Sequence, residues 1–271
     1  MEEFTFSGEW MKDDILYLKG ITPEIITEMR SFEMTKRDVL IASYPKTGTT
    51  WTQELVWLLR NNGNLTQALS IPVYERVLYL EYKQEDSKSG LEQKQIEAGK
   101  VKIIVVIRNP KDTLVSLYHF YGNMHDSGVF EGTWDDFFEL YKAKHVIYGD
   151  YFDWYSSWLP HIEKHNVMLV KYEDMQHKLP DVYNDVARFL DDPLSYPNKA
   201  DIIEHLTFDR MRRNDMVNYK NISGLDLKSS PFMRKGIIGD WKNTFSDEQS
   251  RLVDKRYHEV IEAFGISLEF E

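Results

Sequence analysis

Lys46, Gly48 and the adjacent Thr49 and Thr50 lie in one nine-residue segment, Ser43–Trp51, whose composition suits phosphate binding. The apolar run before this segment predicts a buried strand and the residues after it predict a helix, so the lysine would lie in the connecting loop. Backbone N–H groups at a helix start have no partner inside the helix, and the peptide dipoles place partial positive charge there. An anion can supply the missing partner, and Lys46 would add a full charge.

The glycine and threonines of this segment could each have more than one role. Gly48 would let the backbone approach a ligand closely, and Thr49 or Thr50 could either cap the helix or donate a hydroxyl group. An ordinary capped helix after a strand is the alternative. The segment is not the common nucleoside-triphosphatase loop, because in that motif the lysine follows the second glycine, whereas Lys46 precedes Gly48.

Arg108 belongs to a second cationic segment, directly after the apolar run Val101–Ile107. The following pair Asn109–Pro110 suits an N-cap and a first helical position, so the arginine would lie at the carboxyl end of a buried strand. Ligands bind at that edge of open parallel sheets, and a guanidinium group matches a phosphate. Ser116 on the predicted helix could add a hydroxyl group. A structural ion pair between Arg108 and Asp112 is the alternative.

Arg234 and Lys235 precede Gly236 in a third segment, Phe232–Asn243, which contains a second glycine, Gly239. Two cations beside a glycine predict a flexible loop that folds over an anion, and a solvated basic turn is the alternative. Three such segments in a chain with a net charge of −11 favour one common anion site.

Composition limits the classes of protein that the chain can represent. Its 271 residues, of which 42% are hydrophobic, predict a single domain over 1–271. The lack of cysteine excludes disulfides and thiolate metal sites and agrees with a reducing compartment. The acidic balance argues against a nucleic-acid partner. We see no secretory signal and no apolar run of bilayer length, which predicts a cytoplasmic protein with no membrane partner.

Strand-like and helical patterns alternate along the chain, which predicts an α/β fold with a central parallel sheet flanked by helices and a P-loop-like phosphate-binding loop. The predicted strands are Val39–Ser43, Val101–Ile107 and Val167–Val170, and the predicted helices are 50–60, 110–121 and 180–190. Ser246 and Gln249 indicate a capping box for a further helix, with Leu252, Tyr257, Val260, Ile261 and Phe264 expected in the core. The aromatic residues of 148–158 could line an apolar pocket or pack in the core.

The three cationic segments resemble, in order, the signature regions of the cytosolic sulfotransferases, and the likeness runs from about Met34 to Phe264. The resemblance implies metal-free transfer of a sulfuryl group from 3′-phosphoadenosine 5′-phosphosulfate (PAPS) to a hydroxyl or amine of a small-molecule acceptor, such as a phenol or steroid. Lys46 would stabilise the leaving phosphate, and Phe120 would border the acceptor pocket.

The resemblance also implies a set of PAPS-binding residues. The 5′-phosphosulfate would contact Lys46, Thr47, Gly48, Thr49, Thr50 and Trp51. The 3′-phosphate would contact Arg108 and Ser116, with Arg234, Lys235 and Gly236 closing over it. The nucleoside would contact Tyr172, Thr207 and Met233, and Phe232 also belongs to the implied cofactor-binding set.

The chain departs from the family pattern where the family carries its general base, a histidine in a lysine-threonine-histidine-like strand. The segments Leu80–Glu81, Ser89–Glu92 and Gln95–Lys100 resemble the flanks of that strand, but the strand itself is absent. The first histidine is His119, whose helical context favours a structural role, and neither it nor His125 is assigned as the base. Loss of the base predicts a rate lowered about a hundredfold to ten-thousandfold, and a sheet strand would be lost with it.

Two other classes remain open from the sequence. One is a PAPS-binding protein without turnover, or an inactive shortened form of an active relative, as the absent segment suggests. The other is a metal-dependent kinase, which the order of lysine and glycine disfavours. A homodimer is possible, although the family's dimerisation pattern is only partly present around Lys242–Arg251.

Overall fold

The computed structural model describes residues 10–12, 15–17, 20–30, 34–80, 101–124, 130–193, 196–220, 222, 225, 227 and 230–271. Glu81, Ser89–Glu92, Gln95–Lys100 and His125 lie outside the described residues. The absence of a histidine-bearing strand between the first two cationic segments therefore stays a prediction.

The described strands form two sheets. The smaller is an antiparallel pair of β1 (Trp10–Lys12) and β2 (Ile15–Tyr17), and the larger is a parallel sheet of β3 (Val39–Ser43), β4 (Lys102–Ile107) and β5 (Val167–Lys171). The order in the larger sheet is β3-β4-β5, with Ile41 opposite Ile104 and Ile104 opposite Met168. All three predicted strands are confirmed, and β4 begins one residue after the predicted Val101. Among the described residues, β3 pairs with β4 alone, so its other edge has no partner there.

Helices precede, connect and follow the strands of the parallel sheet. In chain order they are α1 (Pro23–Arg30), α2 (Thr49–Arg60), α3 (Leu65–Ala68), α4 (Val73–Arg76), α5 (Pro110–Tyr121), α6 (Trp134–Lys142), α7 (Tyr151–Trp158), α8 (Tyr172–His177), α9 (Leu179–Leu190), α10 (Lys199–His205), α11 (Phe208–Arg213) and α12 (Asp247–Val260). Short 3₁₀ turns cover Leu159–His161, Asp240–Asn243 and Glu262–Phe264. The three predicted helices are confirmed as α2, α5 and α9.

Local capping explains where two of the helices begin. At α5, the Asn109 side chain accepts the backbone N–H groups of Lys111 and Asp112, and Pro110 is the first helical residue, as predicted. At α12, Ser246 and Gln249 form the predicted capping box. Both ends are therefore fixed by short-range hydrogen bonds that the sequence encodes.

Alternate residues of β4 bury against opposite faces of the sheet, as a period of two requires. Ile103 and Val105 belong to the core beside α5, α7 and α12, whereas Ile104 and Val106 belong to the core beside α2 and α9. All four are fully buried. A central parallel sheet with helices on both faces is an α/β fold, and the predicted fold class is confirmed.

The aromatic residues of 148–158 pack in or against the core. Core packing, rather than an apolar pocket, is therefore their role. Tyr151, Phe152 and Tyr155 are almost completely buried. The hydroxyl of Tyr155 donates to the Val106 carbonyl at 2.5 Å, and that of Tyr151 donates to the Arg108 carbonyl at 2.6 Å. These tyrosines thereby fix the carboxyl end of β4, from which Arg108 projects.

Tyr257 and Ile261 are buried as expected, and Val260 is partly buried. The predictions for Leu252 and Phe264 were wrong. Their exposed fractions are 39% and 47%, whereas Val253, Tyr257 and Ile261 are buried. The buried stripe follows a spacing of four residues and begins at Val253 rather than at Leu252. Since neighbouring helical positions point about 100° apart, that one-position difference turns Leu252 toward solvent.

A buried ionic network anchors α2, the helix that follows the first cationic segment. Glu54 of α2 accepts a hydrogen bond from Arg76 at 2.6 Å and lies 2.8 Å from His205, with the side chains of all three residues at most 8% exposed. Loss of one partner from such a buried network typically costs about 3–5 kcal/mol, because the other charge stays buried. The network thus holds α2 against α4 and α10.

Candidate functional site

The loop between β3 and α2, which contains the first cationic segment, has two residues with left-handed backbone conformations. Lys46 and Gly48 have positive φ values of 70° and 111°. Thr47 is buried, and its hydroxyl donates to the Tyr44 carbonyl at 2.7 Å. A Cβ atom at Gly48 would lie 3.0 Å from the Tyr172 ring, so a larger residue would be crowded there as well as strained.

The N-terminus of α2 has no side-chain cap. Gly48 is the N-cap residue, so Thr49 and Thr50 do not cap the helix, although either could donate a hydroxyl group. The Thr49 hydroxyl lies 2.6 Å from that of Ser43, and the Thr50 hydroxyl lies 3.3 Å from that of Tyr219. The first N–H groups of the helix, together with its dipole, therefore favour an anion at this end.

The side chain of Lys46 ends between two phenyl rings. Its Nζ lies 4.4 Å from the centre of the Phe120 ring and 4.1 Å from that of Phe232. Within the described part of the chain, Nζ makes no ion pair and no hydrogen bond. Burial, together with the charges of Arg108 and Arg234, lowers the pKa of Lys46 to about 7. The amine therefore lacks the counter-charge that an anionic ligand would provide.

Arg108 is buried beside the same loop. Its guanidinium group lies 4.2 Å from the centre of the Tyr172 ring, and one of its Nη atoms donates to the Lys46 carbonyl at 3.2 Å. Its Nε is buried without a partner among the described residues. The alternative ion pair with Asp112 does not form in the described structure, because the Asp112 carboxylate accepts the N–H groups of Gly239 and Trp241 instead.

The third cationic segment forms a loop around an internal carboxylate. The two oxygens of Asp240 contact Arg234 and Lys235 at 2.6 Å each. Burial alone would raise the pKa of Asp240, but the hydrogen bonds from Lys235 and Arg234 hold that pKa at about 2. The Nε of Arg234 is buried without a partner in the described residues. The arginine thus keeps a donor beyond the one that Asp240 occupies.

One pocket brings the three segments together. Its walls include Lys46 from the first segment, Ser116 and Phe120 from the second, and Phe232 and Arg234 from the third. Arg108 contacts the loop at this pocket through the Lys46 carbonyl. The cations expected to share one site therefore converge.

Trp51, Tyr172, Thr207 and Met233, which were also predicted for the site, do not line this pocket. The Trp51 ring lies 5.6 Å from the Tyr172 ring and 6.3 Å from the Phe208 ring, between centres. Met233 is buried, and the Thr207 hydroxyl donates to the Glu204 carbonyl. Trp51 and Tyr172 connect the first loop to Arg108, and Phe208 connects Trp51 to the third loop.

Two further parts of the site were missed by the sequence reasoning. Tyr219 has a positive φ of 54°, and its hydroxyl lies 2.7 Å from that of Tyr79, which extends the contact from Thr50. Asp240 holds the two cations of its own loop. A carboxylate five residues after Lys235 was a visible signal for Asp240, whereas nothing near Tyr219 in the sequence indicates its position.

The family model described as "Sulfotransferase domain" matches residues 36–265. The chain belongs to the sulfotransferase family. This membership favours sulfuryl transfer over the phosphate transfer of a metal-dependent kinase. Among the described residues, no group of three or more histidine, aspartate and glutamate side chains is arranged to hold a metal ion, and no described helix has the length and apolar character to cross a membrane.

Two curated sulfotransferases illustrate the similarity. Sulfotransferase 1A1 of the dog, Canis lupus familiaris, is 32% identical over 280 residues, which cover 93% of this chain and 94% of the relative. Sulfotransferase 1B1 of the mouse, Mus musculus, is 32% identical over 291 residues, which cover 96% and 95%. Both alignments are longer than the 271 residues of this chain, so each relative has residues without a counterpart here.

Solved structures agree with this family assignment. The mouse sulfotransferase SULT7A1 complexed with PAP has a TM-score of 0.74 and 25% identity, with 95% of each chain covered. A retinol dehydratase in a complex with retinol and PAP has a TM-score of 0.77 and 22% identity, covering 89% of this chain and 86% of that one, and supports the fold alone.

The third cationic segment of this sulfotransferase-family protein depends on Gly236 for its conformation. A Cβ atom there would lie 2.3 Å from the Phe208 ring, and the residue has a positive φ of 68°. We expect Gly236→Ala to weaken the binding of 3′,5′-adenosine diphosphate (PAP) at least about tenfold, measured by calorimetric titration, because the loop must move away from Phe208. Gly265→Ala is the matched control, since Gly265 has a φ of 73° and nothing within 4 Å of its Cβ position. Equal losses in both variants would show that backbone strain alone is responsible.

Proposed function

We propose that this protein binds PAPS and transfers its sulfuryl group to a hydroxyl or amine of a small-molecule acceptor. The observation that carries the proposal is that Lys46 and Arg234 line one pocket and that Arg108 donates to the Lys46 carbonyl, beside the uncapped N-terminus of α2. A site of this kind suits a ligand with two separated anionic groups.

The residues present fit such a nucleotide. Buried polar groups are normally hydrogen-bonded, yet the Nε atoms of Arg108 and Arg234 have no partner among the described residues. Phosphate oxygens would satisfy both donors with charge-assisted hydrogen bonds. By the family resemblance, Arg108, Ser116 and the Arg234–Gly236 loop would hold the 3′-phosphate, and Lys46–Trp51 would hold the 5′-phosphosulfate.

In this proposal, Lys46 lowers the barrier to transfer electrostatically. Negative charge grows on the leaving phosphate oxygen as its bond to sulfur breaks, and a cation already in place stabilises that charge without reorganisation. By the family resemblance, Phe120 would border the acceptor. The choice of a phenol, steroid or similar acceptor, the homodimer and the cytoplasmic location remain predictions from the sequence.

A PAPS-binding protein without turnover is the second candidate. The predicted absence of the histidine-bearing strand favours it, and both relatives described above have residues without a counterpart here. Incubation with labelled PAPS and a panel of phenols separates the two candidates. Labelled sulfate ester in the product supports the enzyme, and retention on immobilised PAP without any product supports the second candidate.

The pKa of Lys46 makes nucleotide binding depend on pH. In the free protein this pKa is lowered to about 7, whereas a bound anion would favour the charged amine and raise it. Binding should therefore be strongest below pH 7 and should weaken as the pH rises, with proton uptake that increases toward one proton above pH 7. We expect the affinity for PAP to fall about tenfold between pH 7 and pH 8.5. Calorimetry in two buffers of different ionisation enthalpy measures both effects, and an affinity independent of pH would contradict this reading.

A further inference from the structure

His119 is placed differently from the other histidines that the structure describes. Only His119 lines the pocket that contains Lys46, Phe120 and Arg234. His177, His205 and His258 each contact a glutamate elsewhere. Among the described histidines, His119 is therefore the one that a ligand in this pocket could reach.

The surroundings of His119 favour a neutral imidazole. Its residue is half-buried on α5, and its ring packs against Tyr118 with 5.3 Å between centres. Burial, followed by the charge of Arg234, lowers the pKa of His119, with Asp240 opposing this and Lys235 adding to it. Lys46 is the further charged group on the pocket wall. Within the described residues, no hydrogen bond occupies either ring nitrogen.

Among the described side chains that line the pocket, His119 is the uncharged one with a basic nitrogen suited to neutral pH. The other residues that line the pocket are one lysine, one arginine, one asparagine, one proline, two serines and two phenylalanines. Lys46 already has an electrostatic task at the leaving phosphate, which requires its charged form. If the histidine-bearing strand is absent, as the sequence predicts, the proton acceptor must come from another element.

We propose that His119 accepts the proton of the acceptor hydroxyl or amine during sulfuryl transfer. The proposal deepens the function proposed above and depends on it. A ring nitrogen of His119 takes the proton while the acceptor oxygen or nitrogen forms its bond to sulfur. The bond between sulfur and the bridging phosphate oxygen breaks, and its electron pair stays on the leaving PAP. The imidazolium then returns the proton to water.

Nucleotide binding would improve His119 as a base. The positive charges of Arg234 and Lys235 oppose protonation of the imidazole in the free protein. A 3′-phosphate bound to these residues would offset their charge and raise the pKa of His119 toward its ordinary value. A better match to neutral pH makes the proton transfer more effective.

The test compares His119→Gln with His258→Gln, a matched substitution at an exposed histidine of α12. We expect His119→Gln to lower kcat for unsubstituted phenol at pH 7 about a hundredfold or more. With pentafluorophenol, which is already ionised at that pH, kcat should change by less than about threefold. PAP affinity, measured by titration, should stay within about twofold of the original protein. His258→Gln should match the original protein in all three measurements.

A second measurement does not depend on turnover. The imidazole pKa of His119, followed by NMR, should rise when PAP is added, and the His258 pKa should not change in the same way. Unchanged kcat with phenol in His119→Gln would overturn the proposal. So would equal losses with both acceptors, or PAP binding by the original protein without product from either acceptor. Failure of the original protein to bind PAP would instead overturn the proposed function, and the inference with it.

Discussion

Lys46→Met is expected to lower the rate of sulfuryl transfer at least about a thousandfold. Methionine keeps the length of the side chain and its packing between Phe120 and Phe232, but it removes the charge that would stabilise the leaving phosphate oxygen. Because charge on this oxygen grows in the transition state, we expect a larger effect on kcat than on the affinity for PAP. Single-turnover transfer from labelled PAPS to a phenol measures the effect directly.

Lys142→Met provides the control for this substitution. Lys142 lies on the exposed side of α6, where it contacts Glu139 at 2.8 Å, outside the pocket. Its replacement should leave the rate within about twofold, since exposed ion pairs contribute little. A Lys46→Met protein with normal kcat and weakened PAP binding alone would show that Lys46 binds nucleotide without aiding the transfer.

Arg108→Met should remove most of the preference for a nucleotide with a 3′-phosphate. We expect the affinity for PAP to fall about tenfold to a hundredfold, as for loss of one charged hydrogen-bonding partner. The affinity for 5′-AMP, which lacks the 3′-phosphate, should change much less. Titration of both nucleotides into both proteins gives this ratio, and a methionine can retain the packing of the arginine on Tyr172.

The control for Arg108 is Arg188→Met, at an exposed arginine of α9 that pairs with Asp185. Thermal unfolding of both variants separates a binding effect from a loss of stability. Equal losses of affinity for PAP and 5′-AMP in Arg108→Met would contradict a specific role at the 3′-phosphate, because a general disturbance of the loop affects both ligands.

The elements that hold the three cationic segments could be predicted from the sequence because their signals are local. Val39–Ser43 matches β3 at both ends, and the helix after Asn109 begins where its cap residue and Pro110 indicated. Continuous apolar residues identified β4 as a strand covered on both faces. Since the carboxyl ends of parallel strands share one edge, convergence of the first two cationic segments followed from these elements.

Other parts of the site depend on contacts between distant residues and could not be predicted. Tyr219 reaches Thr50 across 169 positions of the chain from a backbone conformation with positive φ, which few tyrosines adopt. The sequence placed His119 on a helix, but its access to the pocket depends on how the Arg234 loop closes beside α5. The prediction for Leu252 was wrong for a simpler reason. The rotation of α12 about its axis against the core decides whether Leu252 or Val253 is buried.

Two features of the described residues, the unpaired edge of β3 and the position of His119, both bear on whether this chain can catalyse sulfuryl transfer. The family's base belongs to a strand that this sequence is predicted to lack, and β3 pairs on one side only among the described residues. If His119 supplies the base, a shortened chain retains a complete set of groups for sulfuryl transfer. Whether the chain has turnover would then depend on one side chain, that of His119.

The most direct test of the proposed function is a crystal structure determined in the presence of PAP. We expect the 5′-phosphate to contact Lys46 and the N-terminus of α2, and the 3′-phosphate to contact Arg108, Ser116 and Arg234. Nucleotide bound at another surface, or an empty pocket between these residues at saturating PAP, would contradict a common anion site.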